Sequence, residues 1–313
     1  MSRAIKAGAF LPCVLVYVAL AAAPDIVAVV RTAAAEGKFD LAERAIRSYR
    51  ATTGATPEVI EALSWLARGA LDAKQYDRAD GYAAETHKLA AAMAKTHGLE
   101  PPLDIALGAA IEVHAQALAA RGQRSEALAF LTSELSAWRR TAVAPRIQKN
   151  INLLTLEGKP APALDITHWL GAQPLSLAAM KGRPVLLFFW AHWCGDCKGE
   201  VPILARLMHE YAPRGLRLVG PTQLYGYTAA GDAAPDAETR YIEQVRRQYY
   251  ALLAGMPVPL SAENFQKYGC STTPTLVLLD AAGIVRLYHP GAMSYGELAD
   301  RVRQVLTSSG ATN

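Results

Sequence analysis

One stretch near the middle of the chain constrains its fold more than any other. Arg183-Pro184-Val185-Leu186-Leu187-Phe188-Phe189-Trp190 is followed at once by Ala-His-Trp-Cys-Gly-Asp-Cys-Lys at 191–198. The apolar run is continuous rather than alternating, so it predicts a strand buried on both faces at the centre of a helix-covered sheet. A helical pattern then runs to Tyr211. A cysteine at a helix start meets unpaired backbone N–H groups and the positive end of the helix dipole, and both favour thiolate over thiol. A spacing of three places the second sulfur on the same face of the first turn, within bonding reach. The sequence therefore predicts Cys194 as an exposed nucleophile that attacks a disulfide, and Cys197 as the thiol that resolves the mixed disulfide.

These residues resemble the thioredoxin superfamily, and more closely its exported TlpA/ResA-type thiol-disulfide oxidoreductases. Trp190 to Lys198 looks like the family's Trp-Ala-x-Trp-Cys-Gly-Pro-Cys-Lys, and Glu200, Pro202 and Leu204 continue the match. Downstream, Tyr268-Gly269-Cys270-Ser271-Thr272-Thr273-Pro274-Thr275 looks like the family's Tyr-Gly segment ending in Pro-Thr. It leads into the apolar run Leu276–Asp280 and a turn at Gly283. The resemblance covers about residues 158–308 and implies an α/β thioredoxin fold, a central mixed sheet flanked by helices. It implies a cis Thr273–Pro274 bond packed against the sulfurs, with Thr273 offering its backbone to an extended substrate. It also implies that Glu200, on the helical face of Cys197, accepts that cysteine's proton. Pro202 is expected to kink the helix.

Gly195 and Asp196 stand between the cysteines, and Asp196 replaces the family's usual proline. Its charge disfavours a neighbouring thiolate, which makes it a redox-tuning residue; as a first-turn acid it also suits a helix start. Trp193 is expected on the exposed docking surface and Trp190 in the core. His192 is expected to be an exposed loop residue, and Cys270 a buried cysteine acting as a small hydrophobe. Pro221–Pro235 reads as a loop and Tyr241–Leu253 as an amphipathic helix, in the region where TlpA/ResA-type proteins carry an insert.

The remaining cysteine, Cys13, lies in an apolar stretch from Ala7 to Ala23 that follows Arg3 and Lys6, and Ala19-Leu20-Ala21 suits a signal peptidase. Residues 1–23 are thus expected to be a signal peptide. The run is also at the short end of what crosses a bilayer, so an uncleaved anchor stays open. Export implies a periplasmic or other oxidising compartment, where a CxxC pair serves redox chemistry more readily than zinc. No metal and no cofactor are expected. The net charge is +4, with no basic stripe interleaved with aromatics, so nucleic-acid binding is not expected.

Residues 24–157 are alanine-rich and read as an all-α helical-repeat domain. Glu-Gly-Lys-Phe-Asp-Leu-Ala-Glu at 36–43 is echoed by Ala-Lys-Gln-Tyr-Asp-Arg-Ala-Asp at 73–80, and more weakly by Arg-Gly-Gln-Arg-Ser-Glu-Ala-Leu at 121–128. The pattern resembles tetratricopeptide repeats and offers a surface for a protein partner, or simply a support for the catalytic part. Composition changes at Gly158–Pro162, so residues 158–313 are expected to form the thioredoxin-like domain.

The expected activity is thiol-disulfide exchange with protein thiols and disulfides, in the reducing direction, with electrons from a membrane-bound donor. A peroxiredoxin-like peroxidase is the alternative within enzymes, though the Pro-x-x-x-Thr-x-x-Cys stretch of such proteins is absent before Cys194. A helical-repeat binding protein with a structural thioredoxin domain is the alternative outside them.

Overall fold

The computed structural model describes residues 25–310. The expected signal peptide and Cys13 lie outside the described residues. Seven helices come first: α1 (Ile26–Ala35), α2 (Phe39–Thr53), α3 (Pro57–Asp72), α4 (Tyr76–His97), α5 (Leu103–Ala120), α6 (Arg124–Trp138) and α7 (Ala144–Thr155). They stack as hairpins. The first helices of successive hairpins touch along one layer, α1 on α3, α3 on α5 and α5 on α7. Small residues permit this approach: a Cβ added at Gly69 of α3 would come within 2.9 Å of the Ala34 Cβ of α1. The second helices α2, α4 and α6 stand further apart and are bridged by long side chains, as Arg78 reaches Asp40 and Glu43, and Arg50 reaches Glu85.

The sequence echo has a structural counterpart. Each hairpin turns at a left-handed residue, Gly37 (φ 70°), Lys74 (φ 58°) and Gly122 (φ 83°). In each case the next residue returns its N–H to a carbonyl five positions back, Lys38 to Ala33, Gln75 to Ala70 and Gln123 to Leu118. This is a Schellman-type stop. The echoed alanines Ala42, Ala79 and Ala127 are fully buried. Helix α5 is long and apolar enough to cross a membrane by length and composition, but it is the core helix of the array, with ten buried residues.

After Gly158 the chain builds a second unit. A short strand β1 (Trp169–Leu170) is followed by β2 (Val185–Phe189), helix α8 (Gly195–Tyr211) and β3 (Arg217–Val219). A small hairpin of β4 (Tyr227–Thr228) and β5 (Gly231–Asp232) leads to α9 (Pro235–Tyr249), and β6 (Val258–Pro259) pairs with β1. Then come α10 (Ala262–Tyr268), β7 (Thr275–Leu279), β8 (Val285–Pro290) and α11 (Tyr295–Gly310). The main sheet has the order β3-β2-β7-β8, with β2 and β3 parallel and β7 antiparallel to both its neighbours. This is the mixed sheet of the thioredoxin fold.

The sheet is covered on both faces, as the unbroken apolar run requires. Leu186, Phe188 and Trp190 pack with α8, α9 and α11, whereas Val185, Leu187 and Phe189 face α10 and Leu156. The expected helix over 241–253 is instead α9 from Pro235, closing in a short 3₁₀ turn at Ala251–Leu253. Pro235 supplies the fixed φ of a first helical residue, and Asp236 and Glu238 favour the positive end. That places the helix start inside what reads as loop.

The helical array meets the sheet unit through α7, which packs on α10. Asn152 donates to the Lys267 carbonyl (3.3 Å), and the Glu157 carboxylate accepts the Tyr288 N–H (3.0 Å). Gly269, left-handed at φ 61°, lies flat against the backbone of Gln148 and Lys149, where any Cβ would collide.

Candidate active site

Strand β2 ends at Phe189, and the next residues are pinned before the helix begins. Trp190 is fully buried, its indole N–H bonded to the Gly220 carbonyl at 2.9 Å and its own carbonyl accepting the Thr222 hydroxyl at 2.8 Å. The chain then reaches Cys194, the N-cap of α8, whose Sγ accepts the Cys197 N–H at 3.1 Å. An orphan donor of the helix start is thus spent on sulfur, which stabilises negative charge there. Cys194 and Cys197 are joined in a disulfide with their Cα atoms 5.3 Å apart.

Cys194 is less open than the sequence suggests: it is 4% exposed. The loop before β7 covers it, with the Thr273 carbonyl 3.3 Å from its Sγ. The Thr273–Pro274 bond is cis. Thr273 is half-buried, and its hydroxyl is buried with no hydrogen-bond partner. Trp193 is 49% exposed, next to Cys194 in the chain, and its ring meets the edge of Tyr225. Gly195 and Asp196 are both exposed at the helix start.

Glu200 stands one turn beyond Cys197 and is buried. Burial pushes its carboxyl pKa up, the Met293 N–H draws it back, and the charge of Asp196 raises it further. A carboxyl so placed holds a proton more readily than an exposed one does.

His192 is not the exposed loop residue that its sequence position suggests. It is 1% exposed, its Nε2 lies 3.2 Å from Glu238 Oε1, and the rings of Tyr225, Tyr227 and Tyr241 surround it. Burial lowers its pKa and the Glu238 carboxylate offsets part of that. Glu238, which sequence reasoning missed, is fully buried and also accepts the N–H groups of Tyr225 (2.6 Å) and Gly226 (2.8 Å). It fastens the insert to the loop that carries the cysteines. The sequence carried no signal for it, because the first turn of α9 reads as an exposed polar end.

Cys270 is buried in the cluster on the opposite face of the sheet, and burial pushes its thiol pKa well up. Among the described residues no group of three His, Cys, Asp or Glu side chains gathers where a metal could be held.

Residues 158–223 match the AhpC/TSA family. A thiol:disulfide interchange protein, DsbE, of Xylella fastidiosa strain Temecula1 is 31% identical over 153 residues, which span 48% of this chain and 70% of that one. The chain belongs to the thioredoxin-like thiol:disulfide oxidoreductases. Within this family, the thioredoxin-like protein YneN of Bacillus subtilis is 29% identical over 147 residues, 47% of this chain and 78% of that one. A crystal structure described as a DsbE from Chlorobium tepidum covers 48% of this chain and 97% of its own, with 24% identity and a TM-score of 0.38. The two sequence relatives cover less than half of this oxidoreductase.

Proposed function

We propose that this chain reduces protein disulfides in an exported compartment, using Cys194 as nucleophile, Cys197 as resolving thiol and Glu200 as proton acceptor. The observation that carries this reading is the disulfide closed across the first turn of α8, with Cys194 capping the helix and the Thr273 carbonyl beside its sulfur. Cys194 thiolate attacks one sulfur of the substrate disulfide and expels the other as a thiolate. Cys197, its proton passed to Glu200, then attacks Cys194 Sγ. The substrate leaves as a dithiol, and the two electrons it gained leave Cys194–Cys197 oxidised. A membrane-bound thiol donor would return those electrons. Thr273, with its cis neighbour Pro274, and exposed Trp193 would receive the substrate chain, while Gly195 and Asp196 tune the pair.

The helical array is read as a tetratricopeptide-like platform spanning residues 24–157, ahead of a redox domain over 158–313. Its repeated turns and buried alanines support that reading, as does the apolar stretch after Arg3 and Lys6 for export.

Equilibration with glutathione buffers, read by thiol alkylation, tests the direction. A potential near that of thioredoxin, about −270 mV, fits a reductase; one near DsbA, about −120 mV, marks an oxidant and overturns the direction. The AhpC/TSA match makes peroxidase activity the competing reading. Rapid hydrogen peroxide consumption that survives Cys197→Ser but not Cys194→Ser would replace dithiol exchange with peroxide reduction.

A further inference from the structure

The layer of first helices carries a feature that the redox site does not use. Arg31 of α1 and Arg68 of α3 lie over the Trp65 ring, 5.5 and 4.2 Å from its centre. On α7, Arg146 and Lys149 share one half-buried acid of α5, Glu112, at 2.5 and 2.6 Å. Arg68 and Arg146 both point a guanidinium N–H at the Ile105 carbonyl, at 3.5 and 3.4 Å. The row therefore crosses four helices without a break. Gly108 makes room for it, since a Cβ there would come within 3.0 Å of the Arg146 side chain.

Charge along this row is not balanced. Four cations, Arg31, Arg68, Arg146 and Lys149, share this row with three acids: Glu112, Asp72, and Glu61, whose carboxylate accepts the Trp65 indole N–H at 3.4 Å. Arg68 has no carboxylate partner, and its Nε is buried without any hydrogen bond. Burial, and Arg146 nearby, bring its pKa down to about 10, a shift that Glu112, Glu61 and Asp72 offset only in part. A guanidinium desolvated beside a like charge is unfavourable unless an anion joins it. The outer layer differs, because there Arg78 of α4 is bridged to both Asp40 and Glu43 of the neighbouring helix α2. Closer packing of the first helices than of the second bends the array toward this row, which suits an extended occupant crossing the helices.

We infer that the first-helix face docks an acidic, extended segment of a protein partner, its carboxylates pairing with Arg68 and Arg146 and its chain lying across Trp65. The inference rests on the proposed function, in which that partner is the disulfide-bearing substrate. The row ends at Lys149, against whose backbone Gly269 packs, five residues before Pro274.

The test uses the full-length oxidised protein and a fluorescein-labelled peptide of Glu, Asp and Gly that lacks cysteine. A matched peptide of Gln, Asn and Gly serves as control. The acidic peptide is expected to bind with at least about tenfold preference and to weaken steeply with salt. Arg68→Gln and the exposed Arg31→Ala are each expected to weaken it several-fold, with melting temperature and exchange with a small-molecule disulfide unchanged. Arg47→Gln on the outer helix α2 should leave it intact. Equal binding of both peptides, or loss through Arg47 but not through Arg68 or Arg31, overturns the proposal. Inorganic phosphate that binds equally well and displaces the peptide overturns it in favour of a small-anion site. Because the peptide has no sulfur, a protein that binds it yet exchanges no disulfide sinks the redox reading and leaves the docking face standing.

Discussion

The backbone N–H of Met293 donates to the Glu200 carboxylate at 3.3 Å. Two residues earlier in the same loop, the Gly291 N–H bonds the Pro274 carbonyl at 2.8 Å. One short connection between β8 and α11 therefore holds both the buried acid beneath Cys197 and the cis-proline loop over Cys194. A shift in that loop moves Glu200 and the Thr273–Pro274 backbone together.

Glu200→Gln removes the acid while preserving its shape. Disulfide exchange is expected to slow by about a hundredfold or more, the range of a lost general base. Stability follows the opposite course. Burial raises the Glu200 pKa in the folded state, so the native protein retains a proton that the unfolded chain releases. Wild-type stability attributable to this group is therefore full below the ordinary carboxyl range and falls as pH rises through the folded value. Urea unfolding at several pH values should show the Gln variant gaining on wild type as pH rises. Parallel curves would show that Glu200 ionises as freely as a surface carboxyl.

Glu238→Ala strips three donors of one acceptor: His192 and the amides of Tyr225 and Gly226. Leaving these groups buried and unpaired is expected to cost about 3 kcal/mol or more. Since the Tyr225 ring meets Trp193 edge-on at 5.6 Å, indole fluorescence should shift as well. A Glu238→Gln variant keeps one acceptor oxygen and should fall between the two. An unchanged unfolding midpoint in the Ala variant would show that the insert is not anchored through this carboxylate.

Gly269→Ala places a methyl group against the Lys149 backbone at a left-handed position. Both the conformation and the collision are unfavourable, and about 2–4 kcal/mol of stability should be lost. Limited proteolysis should find new cleavage near α7 as its seat on α10 loosens. Wild-type resistance together with wild-type stability would mean that the junction tolerates a wider gap.

Lys74→Gly works in the other direction. Lys74 is the one non-glycine residue with positive φ among the described residues, and its counterparts in the other two turns are Gly37 and Gly122. Relieving the left-handed strain, less the added freedom of the unfolded chain, should stabilise the protein by a few tenths to about 1 kcal/mol. A lowered melting temperature would contradict the equivalence of the three turns.

Much of the redox unit was legible because its signals are local. The unbroken run into Trp190 and the cysteine spacing each mark one feature with a fixed geometric meaning. Glu200 and the cis bond before Pro274 came from the family resemblance rather than from spacing. What stayed hidden depends on contacts distant in sequence. Glu238 lies 46 residues from His192, and nothing in either neighbourhood signals that a buried pair will form. The same holds for the enclosure of Cys194, which comes from a carbonyl 79 residues away. In the helical array the period could be read, but not which charges lack partners, since pairing there runs between helices.

The sheet's two buried faces also sort the sulfur atoms. Cys194 and Cys197 belong to the layer with α8, and Cys270 to the layer with α10, with the strands between them. In an oxidising environment a third thiol invites scrambled linkages and misrouted electrons. Here the strands act as a partition, so a thiol–disulfide centre and a bystander cysteine share one small unit without short-circuiting. An oxidant that reaches the working pair meets little of the other sulfur, since Cys270 is 6% exposed.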